Sequence, residues 1–406
     1  MKKVFLLIVV LLLLLSVPVA AGAQQAVETV STEYEDADAD LPLETGAPAA
    51  AIGQTLEIKA KSAILMEPIT GKVLYEANAD EQLPPASITK IMSLLLVMEA
   101  LDRGDFAPDT VVTASEHACS MGGSQIWLEP GETMTVDELL RATVIASAND
   151  ACVALGELVA GSEEGFVAQM NARAKELGMK NTVFQNCTGL DAEGHLTTAY
   201  DVALMSSALI RHEQIKQYST VWMDHLRDGK SELVNTNKLV RFYEGATGLK
   251  TGTTGAAKYC LSATAKRDNL ELVAVVMAGE SSNDRFAGAK KLLDYGFANY
   301  RLLPLTADTL EYAVTVKNGV PGTIAASAEE TQYVLLPKSA AGELVQKAVT
   351  EDAVEAPVKK GDRVGAVSFY YGDECVGEIP IIAKEGSKRV TFGFALWQIL
   401  KGMLQL

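Results

Sequence analysis

Apolar and polar positions alternate with period two near the start and the middle of the chain, and between these regions the pattern is helical. Two alternating runs, 61–66 and 72–76, are separated by a turn at Pro68 and Gly71 and predict a hairpin. Later runs predict three more strands, at 248–253, 258–265 and 270–278. Strands at both ends of one segment predict an α/β domain whose antiparallel sheet is completed by its N- and C-terminal parts.

Helical periodicity fills the region between these strands. A stretch that is apolar nearly all round begins near Ser87 and ends at Gly104, so we expect a helix buried at the centre of the domain. Thr135 and Glu138 have capping-box spacing at the start of the next helix. The pattern predicts helices at 135–146, 150–160, 163–177, 198–211 and 285–300.

The pattern changes again after the last of these helices. Short alternating stretches cut by glycine and proline predict a small all-β domain over 304–388. The last segment, 389–406, is apolar except for a narrow stripe formed by Thr391, Gln398, Lys401 and Gln405. This predicts an amphipathic helix that lies on a membrane surface, and the alternative is a helix docked on the β domain.

The N-terminal segment has the features of an export signal. Lys2 and Lys3 precede an apolar run over 4–15, and Ala21-Gly22-Ala23 fits a signal-peptidase site. We expect a signal peptide at 1–23, with an uncleaved anchor as the alternative, and in both cases a protein at the outer face of the cytoplasmic membrane or in the cell-wall space. Residues 24–54 are acidic and predict a flexible leader, so that the catalytic candidate spans 55–303.

Composition and charge exclude several functions. The 406 residues are 48% hydrophobic, which is ample for a core, and the formal net charge of −17 argues against nucleic acid as a partner. The five cysteines are odd in number and lack C-x-x-C spacing, which favours buried thiols over a disulfide framework. The four histidines include no i, i+4 pair, and we expect neither a metal nor a cofactor.

Candidate chemistry begins at the start of the buried helix, where Ser87 and Lys90 are three residues apart and share a face. Serine is a poor nucleophile until a base takes its proton, and a lysine can do so when burial and nearby positive charge lower its pKa. The helix N-terminus adds N–H groups where an oxyanion would form. The alternative is that Ser87 is an ordinary N-cap.

Two further motifs follow along the chain. Ser147-Ala148-Asn149 lies in a predicted break between helices, and Lys250-Thr251-Gly252 lies on a predicted strand. Ser281-Ser282-Asn283 also has the S-x-N form, but it follows Lys250 and is out of order. S-x-x-K, then S-x-N, then K-T-G is the set found in penicillin-binding proteins and class A β-lactamases. A cation on a strand edge also suits a substrate that ends in a free carboxylate.

With these motifs the chain resembles the serine-type D-alanyl-D-alanine carboxypeptidases, low-molecular-mass penicillin-binding proteins with a C-terminal β domain. The stretch that begins at Phe166 also resembles this family, as do Gly189-Leu190-Asp191 and Thr198-Ala199-Tyr200-Asp201. The resemblance implies an α/β sandwich of β-lactamase/transpeptidase type, removal of the terminal D-alanine from peptidoglycan stem pentapeptides, and acylation by β-lactam antibiotics.

The resemblance also implies a role for each motif residue. Ser87 would attack the bond between the last two D-alanines, Lys90 would take its proton, and Ser147 would pass a proton to the departing D-alanine. Asn149 would bond the substrate backbone and hold Lys90. The terminal carboxylate would be bound by Lys250 and Thr251, which Gly252 and Thr253 follow on the same strand. The N–H groups of Ser87 and Thr253 would form the oxyanion hole. Arg285 would be a more distant charge, or a helix-start arginine paired with a local acid.

Two other functions stay open from the sequence. A class A-like β-lactamase needs a glutamate about three dozen residues after the S-x-N serine, and 183–186 holds no acid. A penicillin or wall-peptide binding protein without turnover would not need an activated nucleophile, which argues against it. A G-x-S-x-G hydrolase is excluded because the chain lacks that pentapeptide.

Overall fold

The computed structural model describes residues 28–29, 50–307, 311–328, 331–350 and 353–403. The predicted signal peptide and most of the predicted leader lie outside the described residues. Within the leader, β1 (Glu28–Thr29) pairs in parallel with β7 (Ser231–Val234).

A five-stranded antiparallel sheet organises the first domain. Its strands are β2 (Ala60–Glu67), β3 (Lys72–Ala77), β8 (Ala246–Thr254), β9 (Lys258–Arg267) and β10 (Leu270–Gly279), in the order β3-β2-β10-β9-β8. The predicted hairpin is confirmed. Its first strand, β2, pairs with β10, the last of these strands along the chain, and Ile64 lies opposite Val275. β8 is therefore an edge strand.

Helices pack on both faces of this sheet. The described helices of this domain are α1 (Lys90–Arg103), α2 (Glu116–Cys119), α3 (Val136–Ile145), α4 (Asn149–Ala160), α5 (Glu163–Glu176), α6 (Ala199–Leu209), α7 (Lys216–Ser219), α8 (Leu239–Phe242) and α9 (Ser282–Asn299). Ten of the 14 residues of α1 are buried, as its apolar pattern predicts. The capping box at Thr135 and Glu138 is confirmed, and Gly104 ends α1 in the left-handed conformation.

The start of α1 differs from the prediction. Residues Ala86–Thr89 form a 3-10 turn, and the α-helix begins only at Lys90 with Thr89 as its N-cap. Ala86 has a φ of 48°, a left-handed conformation that reverses the chain after Pro85. Ser87 is consequently not the helix N-cap, and its hydroxyl is available for other contacts.

Two small antiparallel strand pairs were not predicted, because their strands are too short for an alternating pattern to be recognised. One pairs β4 (Val111–Thr113) with β5 (Thr133–Thr135), and the other pairs β6 (Met223–Leu226) with β7. The cysteines are free; Cys152, Cys187 and Cys260 are buried, whereas Cys375 is exposed.

The second domain is all β, as predicted. Its strands are β11 (Tyr300–Leu305), β12 (Glu311–Lys317), β13 (Gly319–Val320), β14 (Thr323–Ala328), β15 (Gln332–Pro337), β16 (Leu344–Thr350), β17 (Val354–Glu355), β18 (Arg363–Tyr371), β19 (Glu374–Ala383) and β20 (Lys388–Arg389). β11 joins the two domains, because Leu302 packs in a core cluster of the first domain and Leu305 in that of the second.

The chain continues into α10 (Phe392–Met403), close to the predicted terminal helix. None of the side chains of α10 is buried, and Phe392 and Met403 are 85% and 78% exposed. Among the described residues no helix has both the length and the apolar character needed to cross a membrane.

Candidate active site

Ser87 and Lys90 meet at the turn before α1, as their spacing predicts. Lys90 Nζ donates to Ser87 Oγ at 3.0 Å, to Asn149 Oδ1 at 2.5 Å and to the carbonyl oxygen of Thr188 at 2.8 Å. Ser87 is half-buried, whereas Lys90 is fully buried. The serine is thus partly accessible, whereas the amine that contacts it is enclosed.

Burial sets the protonation state of Lys90. It lowers the pKa of the Lys90 ammonium from 10.5 to about 8, because the charged form loses its hydration. The nearby Cys152, Cys187 and Asp150 oppose this shift only in part. A lysine with a pKa near 8 is uncharged often enough at neutral pH to accept a proton from a hydroxyl group.

Ser147 lies in the break between α3 and α4, as predicted, and Asn149 is the first residue of α4. Ser147 has a φ of 63° and is 4% exposed. Asn149 contacts Lys90 through its amide oxygen and donates from Nδ2 to the carbonyl oxygen of Gly122 at 2.6 Å. The amide therefore has a fixed orientation, with its oxygen towards the lysine.

A buried carboxylate holds the loop that carries Gly122. Asp150 accepts from the backbone N–H groups of Ile126 and Leu128, the latter at 3.0 Å. Burial raises the pKa of Asp150, and these N–H groups oppose the rise because they stabilise the charged form. This residue was not predicted from the sequence, although it directly follows Asn149.

Lys250, Thr251 and Gly252 lie on the free edge of β8. Lys250 is 1% exposed, and Thr251 Oγ1 donates to Thr236 Oγ1 at 2.6 Å. Burial, followed by the positive charges of Lys90 and Arg285, holds the pKa of Lys250 well below its usual value. A carboxylate bound beside it would reverse that shift, so this position is suited to an anion.

Glycine is required at position 252 by the close approach of β8 to the Ser87 turn. A Cβ atom at Gly252 would lie 2.9 Å from the carbonyl oxygen of Pro85 and 3.1 Å from the Cβ of Ala86. Any larger residue would push the strand away from the serine, so Gly252 sets the width of the cleft.

Arg285 lies closer to the site than the distant position expected from the sequence. It is 4% exposed at the start of α9, and its Nη1 donates to Thr253 Oγ1 at 2.8 Å and to the carbonyl oxygen of Gly252 at 3.3 Å. Its guanidinium carbon also lies 5.5 Å from the ring centroid of Tyr259. Arg285 thus supports the strand directly and adds positive charge behind it.

The loop over 186–191 is the main part of the site that residue chemistry alone did not identify. Gly189 has a φ of +91°, and a Cβ atom there would lie 1.8 Å from the carbonyl oxygen of Ala86. Asp191 Oδ1 accepts from Thr254 Oγ1 at 2.7 Å. Gly189-Leu190-Asp191 was noted in the sequence only because it resembles the family, and no role in the site was predicted for it.

A metal centre is not part of this arrangement within the portion of the chain that the structure describes. There, no group of three or more His, Cys, Asp or Glu side chains is placed to hold an ion. His195 lies near the turn that carries Ser87, and its Nε2 is hydrogen-bonded to Thr89 Oγ1 at 2.9 Å. Burial lowers the pKa of His195 to about 4.

The sequence matches two family profiles. The one described as D-alanyl-D-alanine carboxypeptidase covers residues 48–281, and the one described as penicillin-binding protein 5, C-terminal domain, covers residues 303–389. The D-alanyl-D-alanine carboxypeptidase DacF of Bacillus subtilis is 47% identical over 82% of this chain and 87% of its own length.

Solved structures give the same result. Penicillin-binding protein 5 from Haemophilus influenzae aligns with a TM-score of 0.73 at 28% identity, over 83% of this chain and 99% of that one. Penicillin-binding protein D2 from Listeria monocytogenes, solved in its ampicillin-bound form, aligns with a TM-score of 0.53 at 32% identity, over 60% of this chain and 100% of that one.

Proposed function

Because the chain belongs to the D-alanyl-D-alanine carboxypeptidase family, we propose a mechanism in which Ser87, Lys90 and Ser147 carry the reaction. The protein is a serine-type D-alanyl-D-alanine carboxypeptidase, a hydrolase that removes the terminal D-alanine from peptidoglycan stem pentapeptides and is acylated by penicillins. The observation that carries the mechanism is the 3.0 Å contact between the buried Lys90 amine and the Ser87 hydroxyl.

Acylation begins with proton transfer from Ser87 Oγ to uncharged Lys90. The serine oxygen then attacks the carbonyl carbon of the penultimate D-alanine, and the N–H groups of Ser87 and Thr253 stabilise the oxyanion. This assignment is supported by the lowered pKa of Lys90 and by the approach of Gly252 to the serine turn. The N–H group of Thr253 is on β8, and Gly252 lets this strand approach the turn that carries Ser87.

Ser147 passes a proton to the departing amine and takes in return the proton that Lys90 accepted from Ser87, so that both groups regain their starting state. Asn149 binds the substrate backbone. The position of Ser147 supports this role, because it lies between α3 and α4, two residues from the Asn149 amide that contacts Lys90. The bond from Lys90 to Asn149 also fixes the amine relative to Ser87. Water then hydrolyses the acyl-enzyme and regenerates Ser87.

Lys250 and Thr251 bind the terminal carboxylate, and Arg285 reinforces the positive field there. The three groups are consistent with this role because Lys250 is buried and Arg285 bonds directly to Thr253 on the same strand. Binding of the anion favours the charged form of Lys250, so substrate and proton bind together.

The test is release of free D-alanine from a peptide that ends in Lys-D-Ala-D-Ala. The chain without residues 1–23 is compared with its Ser87→Ala variant, which keeps the fold because it removes one oxygen atom. Release by the parent and none by the variant is the expected result. Acylation by penicillin at Ser87 without D-alanine release would favour a non-turnover binder, and rapid penicillin hydrolysis would favour the β-lactamase alternative.

We propose that the protein acts outside the cytoplasm and is held at the membrane surface by α10. A substrate in the cell wall requires export, and the 1–23 signal pattern supplies it. Exposure of Phe392 and Met403 on α10 supports insertion of its apolar side into an interface. The proposed organisation is signal peptide 1–23, leader 24–54, catalytic domain 55–303, β domain 304–388 and surface helix 389–406.

A further inference from the structure

A cavity of about 270 Å³ opens beside the turn that carries Ser87, at the end of β8 where the chain turns back into β9. Its apolar wall includes Pro84, Leu190 and Ala256, and its rim carries the exposed acids Asp191 and Glu193. The residues that line it include neither lysine nor arginine. The cavity thus combines an apolar wall with two negative charges and no counter-charge of its own.

The proposed mechanism brings one substrate side chain to this cavity. A peptide on the free edge of β8 has its terminal carboxylate at Lys250 and its scissile carbonyl at Ser87, so its earlier residues continue towards Thr254. A strand advances about 3.3 Å per residue, and the third residue from the C-terminus therefore lies near Thr254. Asp191 Oδ1 accepts from Thr254 Oγ1 at 2.7 Å, which joins that position to the acidic rim.

We propose that this cavity binds the side chain of the third stem residue, and that it selects a lysine-type side chain ending in an ammonium group over one that also carries a carboxylate. The inference rests on the proposed function, because it takes the direction of the peptide along β8 from the roles of Ser87 and Lys250. It adds a specificity determinant, the pair Asp191 and Glu193.

The chemistry of the wall and rim matches such a side chain. The methylene groups of a lysine pack on Pro84, Leu190 and Ala256, and its ammonium group reaches the carboxylates in water-exposed surroundings. A diaminopimelate side chain brings an additional carboxylate, which the same two acids repel. His195 also lines the cavity, and because burial lowers its pKa to about 4 it adds no positive charge at neutral pH.

The experiment compares kcat/KM for acetyl-X-D-Ala-D-Ala peptides hydrolysed by the chain without residues 1–23. X is L-lysine, Nε-acetyl-L-lysine, L-norleucine or meso-diaminopimelate. Because exposed charge pairs are of modest strength, we expect the lysine peptide to exceed the norleucine and acetyl-lysine peptides about tenfold, and the diaminopimelate peptide to fall below lysine. Raising the salt concentration should reduce the lysine advantage.

Two variants test the acids themselves. Glu193→Gln should lower the lysine-to-norleucine ratio of kcat/KM from about 10 to about 3. Asp191→Asn removes the second charge but keeps an oxygen that can accept from Thr254. Glu343→Gln removes the same charge from an exposed position in the β domain and should leave the ratio unchanged.

The outcomes separate this proposal from the proposed function. Equal turnover of all four peptides, or preference for diaminopimelate, would overturn the lysine-selective cavity while leaving the carboxypeptidase intact. An unchanged ratio in both Glu193→Gln and Asp191→Asn would exclude these acids as its cause. Failure to release D-alanine from any peptide would instead count against the function on which the inference rests.

Discussion

At the residue scale, the proposed mechanism depends on an uncharged Lys90. With a pKa of about 8, the neutral fraction rises about tenfold per pH unit below pH 8 and levels off above it. The second-order rate constant for acylation by penicillin should therefore rise about tenfold from pH 6 to 7 and flatten above pH 8. Stopped-flow measurement with a chromogenic β-lactam gives this profile for the free enzyme.

The matched control is Lys90→Arg, which keeps a positive charge but does not lose its proton in this range. Acylation of this variant should be slower by at least about a thousandfold. A parent rate that stays flat between pH 6 and 8 would contradict the role of Lys90 as the base.

Gly189 gives a second prediction at this scale. Gly189→Ala should destabilise the protein by about 3 kcal/mol or more and abolish acylation, because its Cβ would meet the carbonyl oxygen of Ala86. Gly178→Ala is the control, since Gly178 has a φ of +78° but open space around it. That variant should cost about 1 kcal/mol and acylate normally. Urea unfolding and penicillin labelling measure both; equal stability of the two variants would contradict the argument.

At the scale of elements, the sequence predicted those whose pattern is long. The hairpin 61–76, the buried helix after Pro85, and the three strands around Lys250 were all confirmed. Their periodicity extends over enough residues to outweigh local exceptions. The short strand pairs that begin at Val111 and Met223 were not predicted, because three or four residues carry too little pattern.

The candidate site divides along similar lines. Ser87, Lys90, Ser147 and Lys250 belong to short motifs with characteristic chemistry, so they could be proposed as site residues from the sequence. The carbonyl oxygen of Thr188, which accepts from Lys90, could not be identified in this way, since every residue has a carbonyl group and only the fold selects one. The same holds for Gly122 and its bond to Asn149.

The terminal helix α10 carries the prediction for membrane attachment. Deleting residues 390–406 should move the mature protein from the membrane fraction to the soluble fraction, because the exposed apolar side chains of α10 are lost. Trp397→Glu, at a residue 54% exposed, should weaken sedimentation with vesicles, whereas Gln398→Glu adds the same charge on the polar stripe and should have less effect. Unchanged sedimentation of the deletion variant would leave docking on the β domain as the alternative.

At the scale of the whole molecule, β11 is where the two domains depend on each other. The proposed boundary between 303 and 304 falls inside this strand, and β11 pairs with β15 of the second domain throughout, from Tyr300 opposite Pro337 to Leu305 opposite Gln332. Leu335 on β15 packs in the same core cluster as Leu302 and Leu292 of the first domain. The β domain therefore contributes apolar packing to the catalytic domain while lying outside its active site.

This arrangement separates stability from activity. A chain ending after Leu305 keeps every proposed catalytic and substrate-binding residue, since these lie between Ser87 and Arg285, but it loses Leu335 and leaves β11 unpaired. We expect the free energy of unfolding of the first domain to fall by about 2–4 kcal/mol, as for loss of one large buried side chain. Urea unfolding measures that change, and kcat/KM for D-alanine release from the folded fragment should stay within about threefold of the parent. A folded fragment without activity would instead mean that the β domain orders the site itself, through the strand that follows α9.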